Sequence, residues 1–233
     1  MTPEPHVFDV AQASVRELNA ALHALTPETN ATLWQVTNPA GQHALAAGLT
    51  VPVTVEILGH AGYYCAGMNQ AATVIVQGNA GTGVAENMMS GRVHVLGDAS
   101  QSAGASAHGG LLLIEGNAAA RCGISLKGAD IVVKGSVGHL SAFMAQAGTL
   151  TVLGDAGEAF GDSIYEAHLY VRGTVAGLGA DCVEKPMRDA HRAELFAKLH
   201  EAGLAGEVDV GAFRRYGSAR TLYQFHVDHA AAY

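Results

Sequence analysis

Closely spaced glycines are the first feature of this sequence that could bind a ligand, because a glycine-rich loop can wrap a phosphate. The segment TVLGDAGEAFGD, residues 151–162, places Gly154, Gly157 and Gly161 after a β-branched run. A P-loop needs the pattern GxxxxGK[ST], which does not occur, and both GxG sites fail at the last position of GxGxxG. The glycines therefore indicate a requirement of backbone geometry and not a nucleotide site.

Acidic side chains could supply the paired carboxylates of a glycosidase, which stand roughly 5–9.5 Å apart. Asp98 and Asp155 share one position of a 19-residue repeat, but three repeats separate them. At ~4.8 Å for each strand step they would lie roughly 14 Å apart, too far for that chemistry. Asp155, Glu158 and Asp162 are close in sequence, and such a group is typical of a solvated turn.

The cysteines and histidines show no spacing typical of a metal site. Cys65, Cys122 and Cys182 are far apart in sequence, so the sequence predicts neither a CxxC zinc pair nor a disulfide framework. The 12 histidines form no HxH or HxxxH pair, and spacing is the main evidence for metal ligands in a sequence. We therefore expect no metal on this chain.

A group of arginines near the end of the sequence is the remaining candidate for binding. Arg214, Arg215 and Arg220 lie together on a chain whose formal charge is -8. Arginine is favoured at protein interfaces and pairs well with carboxylates and phosphates. The group predicts a docking strip for an acidic partner or a phosphate group, and the alternative is a solvated face.

Composition limits the classes of protein that fit this sequence. The 233 residues are 49% hydrophobic but only 6% aromatic, and 29 of them are glycines, which disfavours a helical bundle. The acidic balance argues against non-specific binding of nucleic acid or of an anionic membrane. Neither a run of ~18 apolar residues nor a secretory signal is visible, so we expect a cytoplasmic protein.

A repeat of 19 residues underlies the glycine spacing. Two positions before each repeated glycine the residue is always Val or Ile, four positions before it is always Val, Leu or Ile, and the residues between are mixed. This alternation is typical of a strand with one buried face. The repeated glycines are Gly59, Gly78, Gly97, Gly116, Gly135, Gly154 and Gly173. The polar residues that follow them are His60, Asn79, Asp98, Asn117, Ser136, Asp155 and Thr174.

Short strands that recur in this way cannot bury their faces alone, so we expect them to stack on one another. The sequence predicts an all-β solenoid, namely a right-handed parallel β-helix of about seven 19-residue coils. The left-handed hexapeptide β-helix is the competing fold, and a period of 19 does not suit it. We expect the repeated glycines to form a structural ladder at corners where the coils pack closely.

Helices are predicted on both sides of the repeat and are expected to cap the solenoid. Ser14 and Glu17 have capping-box spacing before an amphipathic stretch. The stretch EKPMRDAHRAELFAKLHEAG reads as a second helix closed by Gly203, and ATLWQVTNPAG reads as a strand and a turn. We divide the chain into an N-terminal helix, strand and cap (1–50), a β-helix repeat domain (51–182), and a C-terminal helix and docking tail (183–233).

The coils and their Gly-x-x-Gly-x-x-x-Gly corners resemble the glycine-repeat (GXGXG) β-helix domain of glutamate synthase. The resemblance covers about residues 51–181, and only the sixth coil has all three glycines. The same domain forms the third subunit of formylmethanofuran dehydrogenase and of the related formyltransferase/hydrolase complex. The flanking segments WQVTNPAGQHALAAGL and FRRYGSARTLYQFHVDHAAAY are similar to those of the stand-alone small subunits, or B subunits, of N-methyl-L-glutamate synthases.

This resemblance implies a hetero-oligomeric complex that also contains a glutamine-amidotransferase-like subunit and an FMN-containing synthase-like subunit. The reaction implied is that of methylamine with L-glutamate, which gives N-methyl-L-glutamate and ammonia. FMN and iron–sulfur clusters are then expected on the partner and no cofactor on this chain. The family assigns no catalytic residue to this domain, so the resemblance implies a non-catalytic structural or assembly subunit.

Two other functions fit a β-helix of this kind. One is a scaffold subunit of a formyltransferase/hydrolase or formylmethanofuran dehydrogenase complex, which predicts partners of the amidohydrolase and formyltransferase type. The other is a free-standing β-helix enzyme that acts on polysaccharide, which predicts secretion and a ladder of acidic residues. Neither a secretory signal nor an acidic ladder is visible in the sequence.

Overall fold

The computed structural model describes residues 4–29 and 32–222. In these ranges eleven strands form one sheet, and two α-helices pack beside it. The helices are α1 (Val15–His23) and α2 (Asp189–Glu201), and a short 3-10 helix lies at Val210–Ala212. The strands are β1 (His6–Asp9), β2 (Leu33–Thr37), β3 (Thr54–Ile57), β4 (Thr73–Val76), β5 (Arg92–Val95), β6 (Leu111–Ile114), β7 (Lys127–Val133), β8 (Ala147–Val152), β9 (His168–Val171), β10 (Cys182–Lys185) and β11 (Arg214–Ser218). Neither α-helix of the described ranges has the length and apolar character needed to cross a membrane.

The strands β3 to β9 stack in parallel at the 19-residue spacing and confirm the predicted β-solenoid of about seven coils. Val55 pairs with Val74, and the same register continues coil by coil as far as Leu169 on β9. Strand β2 adds a further coil, because Leu33 pairs in parallel with Thr54, and β1 pairs in parallel with β2. The right-handed winding and the division of the chain at residues 50 and 182 stay predictions.

The inward faces of the coils form one continuous core of aliphatic side chains. In β3, β4 and β5 a half-buried residue alternates with a buried one, as the period-two pattern predicts. Each buried Val or Ile side chain stabilises the folded state by roughly 1.5–3 kcal/mol relative to exposure in water. The stability of the column therefore grows with every coil that is stacked on it.

The repeated glycines lie where successive coils approach one another most closely. The backbone N–H of Gly154 donates to the carbonyl oxygen of Gly135 at 2.9 Å. A Cβ atom at Gly154 would lie 2.6 Å from that oxygen and 2.6 Å from Ser136 Oγ, which is closer than folded proteins tolerate. The same obstruction by the preceding coil applies to Gly78, Gly97, Gly116, Gly135 and Gly173. Close packing, and not a bound phosphate, therefore accounts for the need for glycine at these positions.

The polar residue after each glycine joins its coil to the next one. In six successive steps its side chain accepts a hydrogen bond from the backbone N–H of the residue 19 positions later, at 2.7–3.0 Å. The acceptors are His60 Nδ1, Asn79 Oδ1, Asp98 Oδ1, Asn117 Oδ1, Ser136 Oγ and Asp155 Oδ1. Asp98 and Asp155 thus belong to a structural ladder, which we call the polar ladder.

Helix α1 packs on the first coil. Its N-terminus has the predicted capping box, in which Ser14 Oγ accepts from the N–H of Glu17 and Glu17 Oε2 accepts from the N–H of Ser14. Leu18 and Leu22 are buried in the core of the solenoid. Asn19 Nδ2 donates to the carbonyl oxygen of Ala44 at 2.8 Å, which ties the helix to the segment that follows β2. The apolar face of α1 therefore covers the N-terminal part of the column.

Helix α2 lies along the outer face of the sheet, which corrects the expectation that it caps the end of the solenoid. Leu195 and Leu199 are buried in a second core, together with outward-facing residues of β6 to β9 and the residue after β8. These residues are Leu111, Leu113, Val132, Leu153 and Tyr170. Lys198 Nζ lies 2.6 Å from Asp130 Oδ2 on β7 and fixes the helix over the middle of the sheet. The helix takes this place because the outward apolar residues would otherwise face water.

Antiparallel strands close the C-terminal end of the sheet. Strand β11 pairs with β9 in the opposite direction, so that Arg215 faces Tyr170 and Tyr216 faces Leu169. Strand β10 then pairs with the free side of β11, with Lys185 opposite Arg215. This arrangement ends the parallel stack, and it brings the beginning of α2 beside the ends of β10 and β11.

Candidate functional site

A cavity of about 450 Å³ opens at the C-terminal edge of the outer face of the sheet. Its walls come from the beginning of β9, the end of β10, the first turn of α2, and β11 with the segment that follows it. Six basic side chains line the cavity: His168, Lys185, Arg188, His191, Arg215 and Arg220. We call this cavity with these six residues the basic pocket. Its volume lies within the range of small-molecule sites.

Two of the cations face each other across neighbouring strands. Lys185 on β10 stands opposite Arg215 on β11, and Arg215 in turn stands opposite Tyr170 on β9. Residues opposite each other in an antiparallel pair project from the same face of the sheet. Like charges in that position destabilise a sheet, and they need a compensating group of opposite charge.

The first turn of α2 adds positive charge to the same wall. Arg188 is the N-cap residue, and its backbone N–H donates to His191 Nδ1 at 3.2 Å. A helix N-terminus carries a partial positive charge and favours acidic residues, so an arginine here raises the local potential further. Burial lowers the pKa of His191, and the charges of Arg215 and His168 lower it further. The imidazole of His191 is therefore harder to protonate than an ordinary histidine side chain, although Glu194 acts in the opposite direction.

Glu194 on α2 holds the side of the pocket formed by β9. Its Oε2 atom accepts a hydrogen bond from His168 Nδ1 at 2.7 Å and another from the hydroxyl group of Tyr170. Burial opposes ionisation of Glu194, but these two hydrogen bonds prevail and lower its pKa. Burial, followed by the bond to Glu194, raises the pKa of Tyr170. Glu194 is therefore ionised at neutral pH and fixes the orientation of the His168 ring.

Asp181 anchors the segment that carries Arg220. Its carboxylate accepts from Ser218 Oγ at 2.5 Å, from both the hydroxyl and the backbone N–H of Thr221, and from the N–H of Leu222 at 3.2 Å. Although burial opposes this, the hydrogen bonds lower the pKa of Asp181 to about 2. Arg220 Nη2 then lies 2.9 Å from both carboxylate oxygens of Glu166. Glu166 binds the guanidinium group of Arg220, and Asp181 holds the residues before and after it in the chain. These contacts set the position of Arg220 at the rim of the pocket.

The structure divides the three arginines that the sequence grouped together. Arg215 and Arg220 line the basic pocket, whereas Arg214 Nη2 donates to the carbonyl oxygen of Gly173 at 2.6 Å. Neighbouring residues of a strand point to opposite faces, so Arg214 and Arg215 of β11 cannot share one surface. Arg215 and Arg220 therefore share the basic pocket while Arg214 projects from the other face of β11, and docking of a partner by these arginines stays a prediction.

None of the three cysteines is among the residues that line the basic pocket. Cys65, Cys122 and Cys182 are free and buried, and burial raises the pKa of each thiol to about 12. Such thiols are protonated at neutral pH and are poor nucleophiles. Within residues 4–29 and 32–222, no group of three His, Cys, Asp or Glu side chains has a geometry that could hold a metal ion.

Sequence reasoning missed most of the basic pocket. Lys185, Arg188, His168 and His191 fall outside the repeat register or on one of its mixed positions, and no local motif connects them. The pocket arises because β11 inserts between β9 and β10, a pairing that joins distant parts of the chain. The available signal was the basic character of the stretch from Lys185 to Arg192, which stands out on an acidic chain.

Comparison with known proteins identifies a close relative. No protein-family model matches the sequence. The chain is 63% identical to Protein GlxC of Rhizobium meliloti (strain 1021) over 227 residues, which is 97% of this chain and 99% of that protein. The chain belongs to the GlxC family. Because the match is much longer than the repeat of residues 51–182, similarity to GlxC extends into the C-terminal segment that supplies Lys185, Arg188, His191, Arg215 and Arg220 to the basic pocket.

Proposed function

We propose that this GlxC-family chain is a non-catalytic assembly subunit of a glutamate-synthase-like complex, an N-methyl-L-glutamate synthase. The complex would convert methylamine and L-glutamate into N-methyl-L-glutamate and ammonia. The observation that carries the proposal is the unbroken coil-to-coil bonding of the solenoid, from β2 to β9 in the sheet and from His60 to Thr174 in the polar ladder. A column joined in this way holds its surfaces at fixed distances, as an assembly subunit must.

The chemistry of the polar side chains also supports this role. The repeated carboxylates, which an enzyme could have used as acids or bases, accept hydrogen bonds from the next coil. The thiols are buried and have raised pKa values, so they are unsuited to attack on a substrate or to exchange of electrons with one. The resemblance to the glutamate synthase β-helix supports the view that the partner subunits, and not this chain, catalyse the reaction.

The proposal requires two partners and a division of cofactors between them. One partner is a glutamine-amidotransferase-like subunit, and the other is a synthase-like subunit that carries FMN and iron–sulfur clusters. This chain would carry no cofactor and would join the two in a hetero-oligomer in the cytoplasm, where unpaired cysteines stay reduced.

Co-purification from the source organism tests the proposal. The tagged full-length chain should elute with two further kinds of subunit, and the complex should show flavin absorbance while the chain alone is colourless. The purified complex should form N-methyl-L-glutamate when methylamine and L-glutamate are supplied. Elution of the chain alone, with no stable partner, would contradict an assembly role.

The identity of the partners separates the two scaffold functions. Partners of the amidohydrolase and formyltransferase type, without flavin absorbance, would replace the proposed synthase by a formyl-transferring complex. Turnover of a pectin-like polysaccharide by the isolated chain would overturn both scaffold functions. Mass spectrometry of the co-purified subunits and an assay of the isolated chain therefore decide among the three.

A further inference from the structure

We propose that the basic pocket binds a small polycarboxylate, an organic acid with two or more carboxylate groups. The inference rests on the charges and contacts of the pocket and does not depend on the proposed function. The first observation that supports it is the size of the pocket. A cavity of about 450 Å³ suits a small organic molecule and is larger than a single phosphate group needs.

The second observation is uncompensated charge. Among the described residues that line the pocket, Glu166 is the one carboxylate, and it is paired with Arg220. Lys185, Arg188 and Arg215 make no ion pair with any carboxylate in the part of the chain that the structure describes. Three cations therefore remain around one cavity, although the chain as a whole has a formal charge of -8. The charges of cations around one cavity repel one another, and an anion bound between them would offset this repulsion.

The third observation is a buried donor without an acceptor. Arg215 Nε is shielded from water and has no hydrogen-bond partner among the described residues. A buried polar group left in this state costs roughly 1–3 kcal/mol, so folded proteins rarely leave one unsatisfied. A carboxylate in the pocket would pair first with the terminal nitrogens of Arg215, and rotation of the guanidinium group would then bring Nε into the bidentate geometry that arginine favours.

The fourth observation is the spread of the cations over separate walls. Arg215 and Lys185 project from the sheet, and Arg188 stands at the N-terminus of α2, whose first N–H groups also favour an anion. One carboxylate near Arg215 and a second near Arg188 would use both walls. This arrangement favours a molecule with two or more carboxylates over a compact anion.

Binding to the isolated full-length chain tests the inference. Citrate, L-glutamate and inorganic phosphate would each be titrated calorimetrically at pH 7 and constant ionic strength, because added salt screens such interactions. We expect saturable binding of at least one of the two organic acids, at a stoichiometry of about one per chain, with phosphate clearly weaker. Saturating ligand should also raise the melting temperature, since it binds the folded state.

Three variants connect the binding to the pocket. Arg215→Gln and Arg188→Gln should each weaken binding of the organic acid by about tenfold or more, the usual effect of losing a charged hydrogen bond. Arg16→Gln is the matched control, because Arg16 is exposed on α1 and its loss changes the net charge equally. Arg188 is also exposed, so its variant keeps the test informative if Arg215→Gln folds poorly.

Several results would overturn the inference. One is the absence of saturable binding by both organic acids, and another is equal affinity in Arg188→Gln and Arg16→Gln. Binding of phosphate without binding of citrate or L-glutamate would show that the ligand class is wrong. A hexaglutamate peptide that binds while the free acids do not would identify the pocket as a docking site for an acidic protein segment. All of these outcomes leave the co-purification test of the proposed function unaffected.

Discussion

The side-chain Oδ1 of Asn117 accepts a hydrogen bond from the backbone N–H of Ser136 at 2.9 Å, although 19 positions separate the two residues. The same bond recurs at each step of the polar ladder, and the repeated glycine beside it allows the close approach. A row of residues that could be taken for a reactive surface is therefore part of the support of the solenoid.

Removal of one bond of the polar ladder should lower stability by a measurable amount. Asn117→Ala leaves the N–H of Ser136 without its acceptor, and we expect a loss of about 0.5–1.5 kcal/mol in the free energy of unfolding. Asn117→Ser is the control, because Ser136 serves as the acceptor at the equivalent position of the next coil and serine adds no charge beside Asp98. Urea denaturation measures both, and equal stabilities of the two variants would contradict the role assigned to the side chain.

A side chain at a repeated glycine should damage folding. Gly154→Ala places a Cβ 2.6 Å from the carbonyl oxygen of Gly135, so we expect destabilisation of several kcal/mol or failure to fold, and Gly154→Val should be worse. Gly217→Ala is the control, because the closest atom to its Cβ would lie at an ordinary 3.8 Å. Soluble yield and melting temperature give the comparison, and similar values for the two alanine variants would refute the close-packing explanation.

The outer face of the sheet should depend on α2 for its cover. Leu199 is 1% exposed, whereas Phe196 on the same helix is 53% exposed. We expect Leu199→Ala to cost about 2–5 kcal/mol because it leaves a cavity over the apolar outer residues. Phe196→Ala should change stability by less than about 0.5 kcal/mol. Chemical denaturation of the two variants measures the difference. A larger loss of stability for Phe196→Ala than for Leu199→Ala would contradict the packing of α2 on the outer face of the sheet.

The anchoring of β11 by Asp181 should depend on pH. The pKa of Asp181 is lowered in the folded chain to about 2, and an unfolded Asp titrates near 3.9. A lowered folded pKa adds stability above the unfolded value, and this stability is lost as the pH falls through the interval toward 2. We therefore expect Asp181→Ala to be less stable than the wild type at pH 7 and the gap to narrow toward pH 2.

Denaturation midpoints of both proteins across that pH range measure this effect. Asp155→Ala is a useful comparison, because hydrogen bonds from Thr174 lower the pKa of Asp155 at an exposed position that does not anchor the segment after β11. Increased hydrogen exchange of residues 214–222 should accompany the loss of Asp181 and not the loss of Asp155. A stability gap for Asp181→Ala that stays constant with pH would contradict the assigned role.

Much of the fold could be read from local pattern. An aliphatic residue recurs every 19 positions from Val55 to Leu169, and a glycine recurs every 19 positions from Gly59 to Gly173. A repeated strand has few ways to bury its apolar face other than stacking. The capping box of Ser14 and Glu17 predicted where α1 begins, because that bond lies within one helical turn. The outward positions of the strands looked mixed when all coils were compared. The apolar stretch on β6 to β9 was therefore not anticipated, nor was the place of α2 upon it.

The sequence by itself determined the solenoid, its period and the structural use of its glycines, because these depend on contacts that repeat at a fixed separation. Only the tertiary structure decided how the last strands pair and where the basic pocket forms. Arg215 meets Tyr170 and Lys185 through antiparallel pairing, and Arg188 reaches them through the packing of α2. Such contacts join residues without a common period, so the balance of buried area and charge over the whole chain selects them.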